Sequence, residues 1–221
     1  MKSTSRPVKK KQSGLASIPA TYWLIGIVAV MVALALIVLL GLPAAATERA
    51  KATGNSLGDA NAPVVVEEYA DFQCPACGRF ALTREPEIEK QFIDTGKARY
   101  VARNFAFLGP ESFLAAEAAE AAADQGRYWD YYRLLFSRQQ GENQGGFRLE
   151  NLKRFAGELG LDQKAFNDAL DQGKYRAAVI AEGKEGEALG IRATPTFLVN
   201  GKPVNGVPTV EQMGKLIEAE L

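Results

Sequence analysis

The sequence predicts an α/β domain in which a mixed central sheet is flanked by helices and carries an inserted helical subdomain. Three observations predict this class. A β-branched run at residues 63–69 is typical of a buried strand, residues 110–190 have the alanine content and apolar spacing of consecutive helices, and strand character returns at residues 195–200. Strands and helices in this order fit a mixed sheet with helices on both faces.

The N-terminal segment predicts a membrane anchor. Residues 1–11 contain five basic residues and no acid, and residues 12–47 contain no charged residue. The apolar run from Tyr22 to Leu42 is long enough to cross a bilayer as a helix. We therefore predict a basic cytoplasmic tail at residues 1–20 and one transmembrane helix at residues 21–42.

The positive-inside rule then places the remainder of the chain outside the cytoplasm, in the periplasm or at the cell exterior, as a single-pass protein of the cell membrane. The alternative is a cleaved signal peptide, because residues 43–47 are small enough for a cleavage site. The apolar run exceeds the usual apolar region of a signal peptide, about 7–15 residues, which favours the anchor. Both readings export the domain predicted at residues 59–221, and the glycine-containing polar segment at 43–58 is predicted to be a linker.

The first half of this domain predicts a helix and a second strand after the strand at 63–69. The helix is expected to begin near Cys74 and to end at Gly96, with a kink or break at Pro86. Residues 98–107 predict the second strand. In the helical insertion that follows, apolar residues recur at helical spacing, which indicates packing surfaces rather than a cofactor site.

The C-terminal part predicts a hairpin and a final helix. The dipeptide Asn200-Gly201 favours a two-residue turn between strands at residues 195–200 and 202–206. The last helix is expected to run from about Thr209, a suitable N-cap, to Glu220.

The composition excludes several function classes. The chain has no histidine, which removes Ser-His-Asp and Cys-His catalysis and histidine-ligated zinc. The 26 basic and 26 acidic residues balance, but the N-terminal cluster leaves the remainder with a net charge of −5. An acidic domain argues against nucleic acid as a partner, because phosphate binding needs a basic surface. No cofactor and no metal are expected.

The two cysteines carry the chemistry that the sequence predicts. Cys74 and Cys77 stand in the motif CPAC at the start of the predicted helix, where free backbone N–H groups and the positive end of the helix dipole favour a thiolate at Cys74. Pro75 suits the first helical turn, and Ala76 completes the active-site dipeptide. Cys74 would be the exposed attacking thiol and Cys77 the more buried resolving thiol, which together form and break a disulfide.

The CxxC spacing leaves three alternatives open. Half of a zinc site is one, although structural zinc needs four ligands and the chain offers two thiolates. A Cu(I) site is the second, because two thiolates suit that ion. An inert structural disulfide is the third, although so short a loop stabilises a fold little.

Two further places are candidate site residues. Glu68 lies in the predicted buried strand, where it is either a proton acceptor for Cys77 or a strand-end charge that reaches solvent. Thr194-Pro195 lies at the start of a later strand. The cis isomer is open to this bond, while the local pattern alone favours an ordinary trans proline at an edge.

These motifs resemble the DsbA-like branch of the thioredoxin superfamily, in its subgroup of single-pass anchored bacterial proteins. The segments that carry the resemblance are GDANAPVVVEEYADFQCPACGRF (58–80), ARYVARNFAF (98–107), AAADQGRYWDYYRLLF (121–136), LGLD (159–162) and GIRATPTFLVNGKPVNG (190–206).

The resemblance implies a thioredoxin fold with a helical insertion. It implies that Cys74 is the nucleophile and Cys77 its resolving partner, that Pro195 is the cis-proline opposite them, and that Thr194 contacts substrate backbone. Glu68 falls at the buried acid position of the family. One departure is visible: the strongest oxidants of the family have histidine between the cysteines, where this chain has alanine after proline.

The resemblance also implies a function, namely disulfide exchange with exported cysteine-containing proteins, in the direction of a dithiol oxidase. A quinone-linked membrane partner, DsbB-like or VKOR-like, would reoxidise the cysteines. The chain is expected to be a monomer. The alternatives are a reductase or isomerase for a dedicated client such as an apocytochrome, and a non-catalytic chaperone or Cu(I)-binding module.

Overall fold

The computed structural model describes residues 54–221 and, before them, Met31 alone, which lies in a helix. The predicted tail at 1–20, the rest of the predicted transmembrane helix at 21–42, and most of the predicted linker at 43–58 lie outside the described residues. In the part of the chain that is described, no helix has the length and apolar character needed to cross a bilayer.

The sheet has five strands in the order β1-β3-β2-β4-β5, and it is mixed as predicted. The central strand β2 pairs in parallel with β3 and antiparallel with β4, while β1 and β5 form the two edges through antiparallel pairs. The strands are β1 (Ser56–Leu57), β2 (Val64–Ala70), β3 (Ala98–Asn104), β4 (Thr196–Val199) and β5 (Lys202–Val204).

Eight α-helices surround the sheet within residues 54–221, and five of them, α3 to α7, form the predicted insertion. Their bounds are α1 (Pro75–Thr83), α2 (Glu85–Ile88), α3 (Pro110–Ala123), α4 (Tyr128–Ser137), α5 (Leu149–Glu158), α6 (Gln163–Asp171), α7 (Arg176–Ala188) and α8 (Val210–Glu218). Thr209 caps α8 as predicted, in a capping box with Gln212.

Two predicted boundaries were wrong. The linker does not extend to residue 58, because Ser56–Leu57 pairs with β3 and buries Leu57 completely. The helix predicted from Cys74 to Gly96 ends instead with a π-helical turn at Glu89–Ile93.

The interruption expected near Pro86 in that helix is confirmed, because α1 and α2 are separate helices. The break falls at Arg84, since Pro86 has no N–H to donate and its ring excludes a continuous helix through the preceding turn.

The alternation of β2 sends side chains to two cores. Val64, Val66 and Glu68 are fully buried on one face. Tyr69 points to the other face, into a smaller cluster with Phe105, Ile191 and Leu198. Because successive side chains of a strand point to opposite faces, this pattern requires helices on both sides of the sheet.

The topology brings distant segments to one edge of the sheet. Parallel pairing aligns the ends of β2 and β3, with Ala70 opposite Asn104. Antiparallel pairing places Thr196, the first residue of β4, opposite Tyr69 near the end of β2. The cysteine motif, which follows β2, therefore meets Thr194 and Pro195, which precede β4.

Candidate active site

Cys74 occupies the N-cap of α1, with extended backbone, and Pro75 is the first helical residue. The Cys74 thiol donates a hydrogen bond to the carbonyl oxygen of Thr194, with 3.4 Å between the sulfur and the oxygen. Cys74 is only 8% exposed, so it is less accessible than predicted, because the loop before β4 covers it. Cys77, fully buried, is the more enclosed of the two thiols, as predicted.

The position of Cys74 favours its thiolate. The pKa of Cys74 is lowered to about 5. The hydrogen bond from the Cys77 thiol is the largest cause of this decrease, while burial of Cys74 opposes it. The Thr194 hydroxyl and the backbone N–H groups of Cys77 and Ala76 lower this pKa further. Thr194 Oγ1 is buried without a partner among the described residues when Cys74 is a neutral thiol, so its hydroxyl is available to the thiolate.

Cys77 is held in the opposite state. Burial raises its pKa well above the ordinary value for a thiol, and the hydrogen bond to Cys74 and the negative charge of Glu68 raise it further. Cys77 is therefore a protonated donor to a neighbouring anion. Both cysteines are free thiols here, so the structure is that of the dithiol form, and the predicted Cys74–Cys77 disulfide stays a prediction.

Glu68 is a buried acid rather than a strand-end charge in solvent, because none of its surface is exposed. Burial raises its pKa to about 7. The hydroxyls of Tyr100 and Tyr132 donate to Oε2 at 2.7 and 2.8 Å and lower the pKa, while the Cys74 charge raises it. At this value the carboxyl exchanges a proton near neutral pH, which a proton acceptor for Cys77 requires.

The Thr194–Pro195 peptide bond is cis, as the family resemblance implies and in contrast to the expectation from the local pattern alone. Pro195 is buried and Thr194 is half-buried. Their loop therefore faces the cysteine motif across the edge of the sheet.

A polar network fixes the loop that leads into the cysteine motif. The buried carboxylate of Asp71 accepts hydrogen bonds from the backbone N–H groups of Gln73, Phe107 and Leu108 and from the Ser112 hydroxyl, at 2.7–3.1 Å. From the insertion, the Gln139 amide donates to the carbonyl oxygens of Phe72 and Cys74 at 2.7 and 3.0 Å. The same contacts tie the insertion to the start of α1.

Comparison with known proteins agrees with this geometry. Residues 50–219 match the family model described as thioredoxin. The chain is 31% identical over 176 residues to the probable disulfide bond formation protein D of Bacillus anthracis, which covers 78% of this chain and 80% of that protein. The chain belongs to the thioredoxin superfamily.

Within the thioredoxin superfamily, the chain is a member of the DsbA-like disulfide oxidoreductases. The oxidised crystal structure of BdbD from Bacillus subtilis superposes with a TM-score of 0.71 and 29% sequence identity, over 78% of this chain and 95% of that one.

The chain is also 34% identical over 162 residues to the Na(+)/H(+) antiporter NhaA 3 of Salinispora tropica. That match covers 72% of this chain but only 24% of the antiporter.

Tyr100 and Tyr132, which bind the Glu68 carboxyl, were not predicted from the sequence to be site residues. Tyr100 was part of the predicted second strand, and Tyr132 was one aromatic residue among several at helical spacing. A tyrosine in a predicted core needs a hydrogen-bond partner for its hydroxyl, and this need could have indicated a buried acceptor nearby. Glu68 is such an acceptor, but the sequence does not show which tyrosines lie beside it.

Proposed function

We propose that this chain is an exported, membrane-anchored thiol–disulfide oxidoreductase that exchanges disulfides with extracytoplasmic proteins through Cys74 and Cys77, as a dithiol oxidase. The observation that carries the proposal is the difference between the two thiols. Cys74 has a pKa of about 5 and retains a small exposed fraction at the start of α1, while Cys77 is fully buried and held protonated. Such a pair suits one attacking or departing sulfur and one resolving sulfur.

The exchange begins with the Cys74–Cys77 disulfide. A substrate thiolate attacks Cys74 Sγ, a substrate–Cys74 disulfide forms, and Cys77 departs with the electron pair and takes a proton from Glu68. The second thiolate of the substrate then attacks the substrate sulfur, and Cys74 departs as a thiolate. The substrate dithiol is oxidised by two electrons and the cysteine pair is reduced.

The direction of exchange follows from the stability of the departing group. A thiol with a low pKa leaves readily, and stabilisation of the reduced form makes the disulfide a stronger oxidant. The hydrogen bonds from Cys77, Thr194 and the start of α1 supply this stabilisation without a histidine. A quinone-linked membrane protein, DsbB-like or VKOR-like, would accept the two electrons and restore the disulfide.

The dipeptide Pro75-Ala76 supports a second candidate, a reductase or isomerase for a dedicated client. Alanine offers no donor to Cys74 beyond its backbone, where the strongest oxidants of the family have histidine. The reduction potential of the pair separates the two directions. A value near that of thioredoxin, about −270 mV, would exclude the oxidase and favour the reductase.

The membrane anchor is part of the same proposal. The basic residues at 1–11 and the apolar run at 21–42 support a tail that stays in the cytoplasm and a helix that tethers the domain outside it. Protease protection of the tail, with digestion of the domain in intact spheroplasts, tests this orientation. Release of the domain into the soluble fraction would instead support a cleaved signal peptide.

Trapping tests the exchange itself. In cells that express Cys77→Ser, mixed disulfides between Cys74 and exported proteins should accumulate, because no resolving thiol releases them. Cys74→Ser is the matched control and should trap little, since the remaining thiol is buried. A lack of adducts in Cys77→Ser, with Cys74 open to alkylation, would exclude disulfide exchange, and activity that survives Cys74→Ala would favour a chaperone.

A further inference from the structure

The first residue of the cysteine motif begins α1 without a capping side chain. Cys74 is the N-cap, and its side chain makes no capping hydrogen bond. An N-cap side chain ordinarily accepts a backbone N–H of the first turn and so fixes where the helix begins. Here the N-cap side chain is the reacting thiol, so the backbone of Cys74 needs support from elsewhere.

The side chain of Gln139 supplies a support from the insertion. Gln139 lies between α4 and α5, 65 residues after Cys74 in the chain. Its Nε2 donates to the carbonyl oxygens of Phe72 and Cys74 at 2.7 and 3.0 Å. An amide NH2 group has two protons to donate, so one side chain can bind both carbonyl groups. The backbone on either side of Gln73 is thereby joined to the insertion.

Gly78, in the first turns of α1, provides an independent observation. Glycine is disfavoured inside a helix, and Gly78 does not have the positive φ that would require it. A Cβ at this position would overlap Oε1 of Gln139 and lie 2.9 Å from its Cδ. The absence of a side chain at Gly78 therefore leaves the space that the Gln139 amide occupies.

The segment that carries Gln139 is itself held in place. The carboxylate of Glu111 accepts hydrogen bonds from the backbone N–H groups of Gly145 and Phe147 at 2.7 and 2.8 Å. The backbone N–H of Asn143 donates to Oε1 of Gln73 at 2.6 Å. Hydrogen bonds to a carboxylate are among the stronger ones, so the loop holds the amide in position before any reaction.

The position of the Cys74 backbone matters more in one redox form than in the other. The Cys74 thiolate is stabilised by the backbone N–H groups of Ala76 and Cys77 and by Thr194. Those groups reach the sulfur only while the Cys74 backbone keeps its place at the start of α1. In a Cys74–Cys77 disulfide the sulfur is uncharged and bonded to its neighbour, so the same donors contribute less.

We propose that Gln139 is a positioning residue that holds the Cys74 backbone by its carbonyl oxygen and thereby stabilises the dithiol form over the disulfide. This role rests on the proposed function, in which a stabilised dithiol form makes the disulfide a stronger oxidant. Gln139 acts on the reaction through the backbone of Cys74, while Thr194 and Cys77 act on the sulfur itself.

Gln139→Met tests the proposal, because methionine has a similar length but no N–H to donate. The full chain is equilibrated with glutathione redox buffers, and the ratio of dithiol to disulfide is measured. The equilibrium should shift towards the disulfide by about 3–10-fold, which makes the reduction potential about 15–30 mV more negative. The midpoint of Cys74 alkylation against pH should rise by about 0.5–1 unit.

Gln140→Met is the matched control, since Gln140 is the neighbouring amide and is exposed. It should leave the potential and the alkylation midpoint unchanged. An unchanged potential in Gln139→Met would overturn the proposal even if the unfolding temperature fell, because a merely structural role destabilises both redox forms equally.

Gly78→Ala is a second, independent variant. Its Cβ should displace the Gln139 amide from the two carbonyl oxygens and shift the potential in the same direction as Gln139→Met. In the double variant the two shifts should not add, because the same hydrogen bonds are lost in each. Additive shifts would overturn the proposal. Should Gln139→Met not fold, an unchanged potential in Gly78→Ala would overturn it instead.

The equilibrium with glutathione needs no exported protein, so the two proposals fail separately. A shifted potential in Gln139→Met without trapped adducts in Cys77→Ser would retain the role of Gln139 and remove the proposed function. Trapped adducts with an unchanged potential in Gln139→Met would retain the function and remove the role of Gln139.

Discussion

Replacement of Cys77 by alanine should raise the pKa of Cys74, because the hydrogen bond from the Cys77 thiol is the largest influence that lowers it. A hydrogen bond to a charged group contributes about 1.5–3 kcal/mol, and one pKa unit corresponds to about 1.4 kcal/mol. Loss of the bond should therefore raise the pKa of Cys74 by about 1–2 units. The native value of about 5 would become about 6–7.

The assay is the rate of Cys74 alkylation as a function of pH, with the ultraviolet absorbance of the thiolate as a second readout. Cys77→Ser is the matched control, because its hydroxyl still donates to the sulfur, and its midpoint should lie between those of the native protein and Cys77→Ala. Equal midpoints in the native protein and Cys77→Ala would refute the reasoning. A native midpoint near 9, the ordinary value for a thiol, would refute it more broadly.

Two further predictions concern stability. Burial raises the folded-state pKa of Glu68 from 4.5 to about 7, so the folded protein binds this proton more tightly than the unfolded chain does. The resulting free energy of stabilisation is fully present below pH 4.5 and is lost as pH rises through about 7, by about 3 kcal/mol. We expect urea denaturation of the oxidised protein, in which Cys74 does not titrate, to show a smaller loss of stability between pH 4.5 and 8 for Glu68→Gln than for the native chain; equal losses would contradict this. Gly186→Ala should destabilise the fold by about 1–3 kcal/mol, since a Cβ there would lie 2.8 Å from the Phe105 ring. Gly183→Ala in the same helix, with open space around it, should stabilise by about 0.5–1 kcal/mol, and equal midpoints for the two variants would show that the packing argument is wrong.

Local sequence was sufficient for much of the fold. The β-branched run of β2, the N-cap Thr209 and the Asn200-Gly201 turn each act through neighbouring residues, so their patterns predicted structure directly. The boundary between linker and domain could not be predicted in this way, because a two-residue edge strand such as Ser56–Leu57 has no residue pattern of its own. That strand forms because the edge of β3 offers backbone groups for it to pair with.

The environment of each site residue was a different matter. The CPAC motif predicted a helix start with a reactive Cys74, since spacing and the helix dipole are local properties. The cover over that sulfur comes from Thr194, which is 120 residues distant in the chain. Pairing of β4 with β2 brings Thr194 to Cys74, and no local sequence pattern predicts that contact.

By itself, the sequence determined the chemistry that is available to this protein: two thiols at a helix start, an acid in a buried strand, and no histidine to assist them. The tertiary structure decided how those groups are tuned. It enclosed Glu68 between Tyr100 and Tyr132, whose hydroxyls both donate to its carboxyl group. The reason is physical, because residue type sets the ordinary pKa of a group, whereas burial and neighbouring charges, which only folding brings together, set its departure from that value.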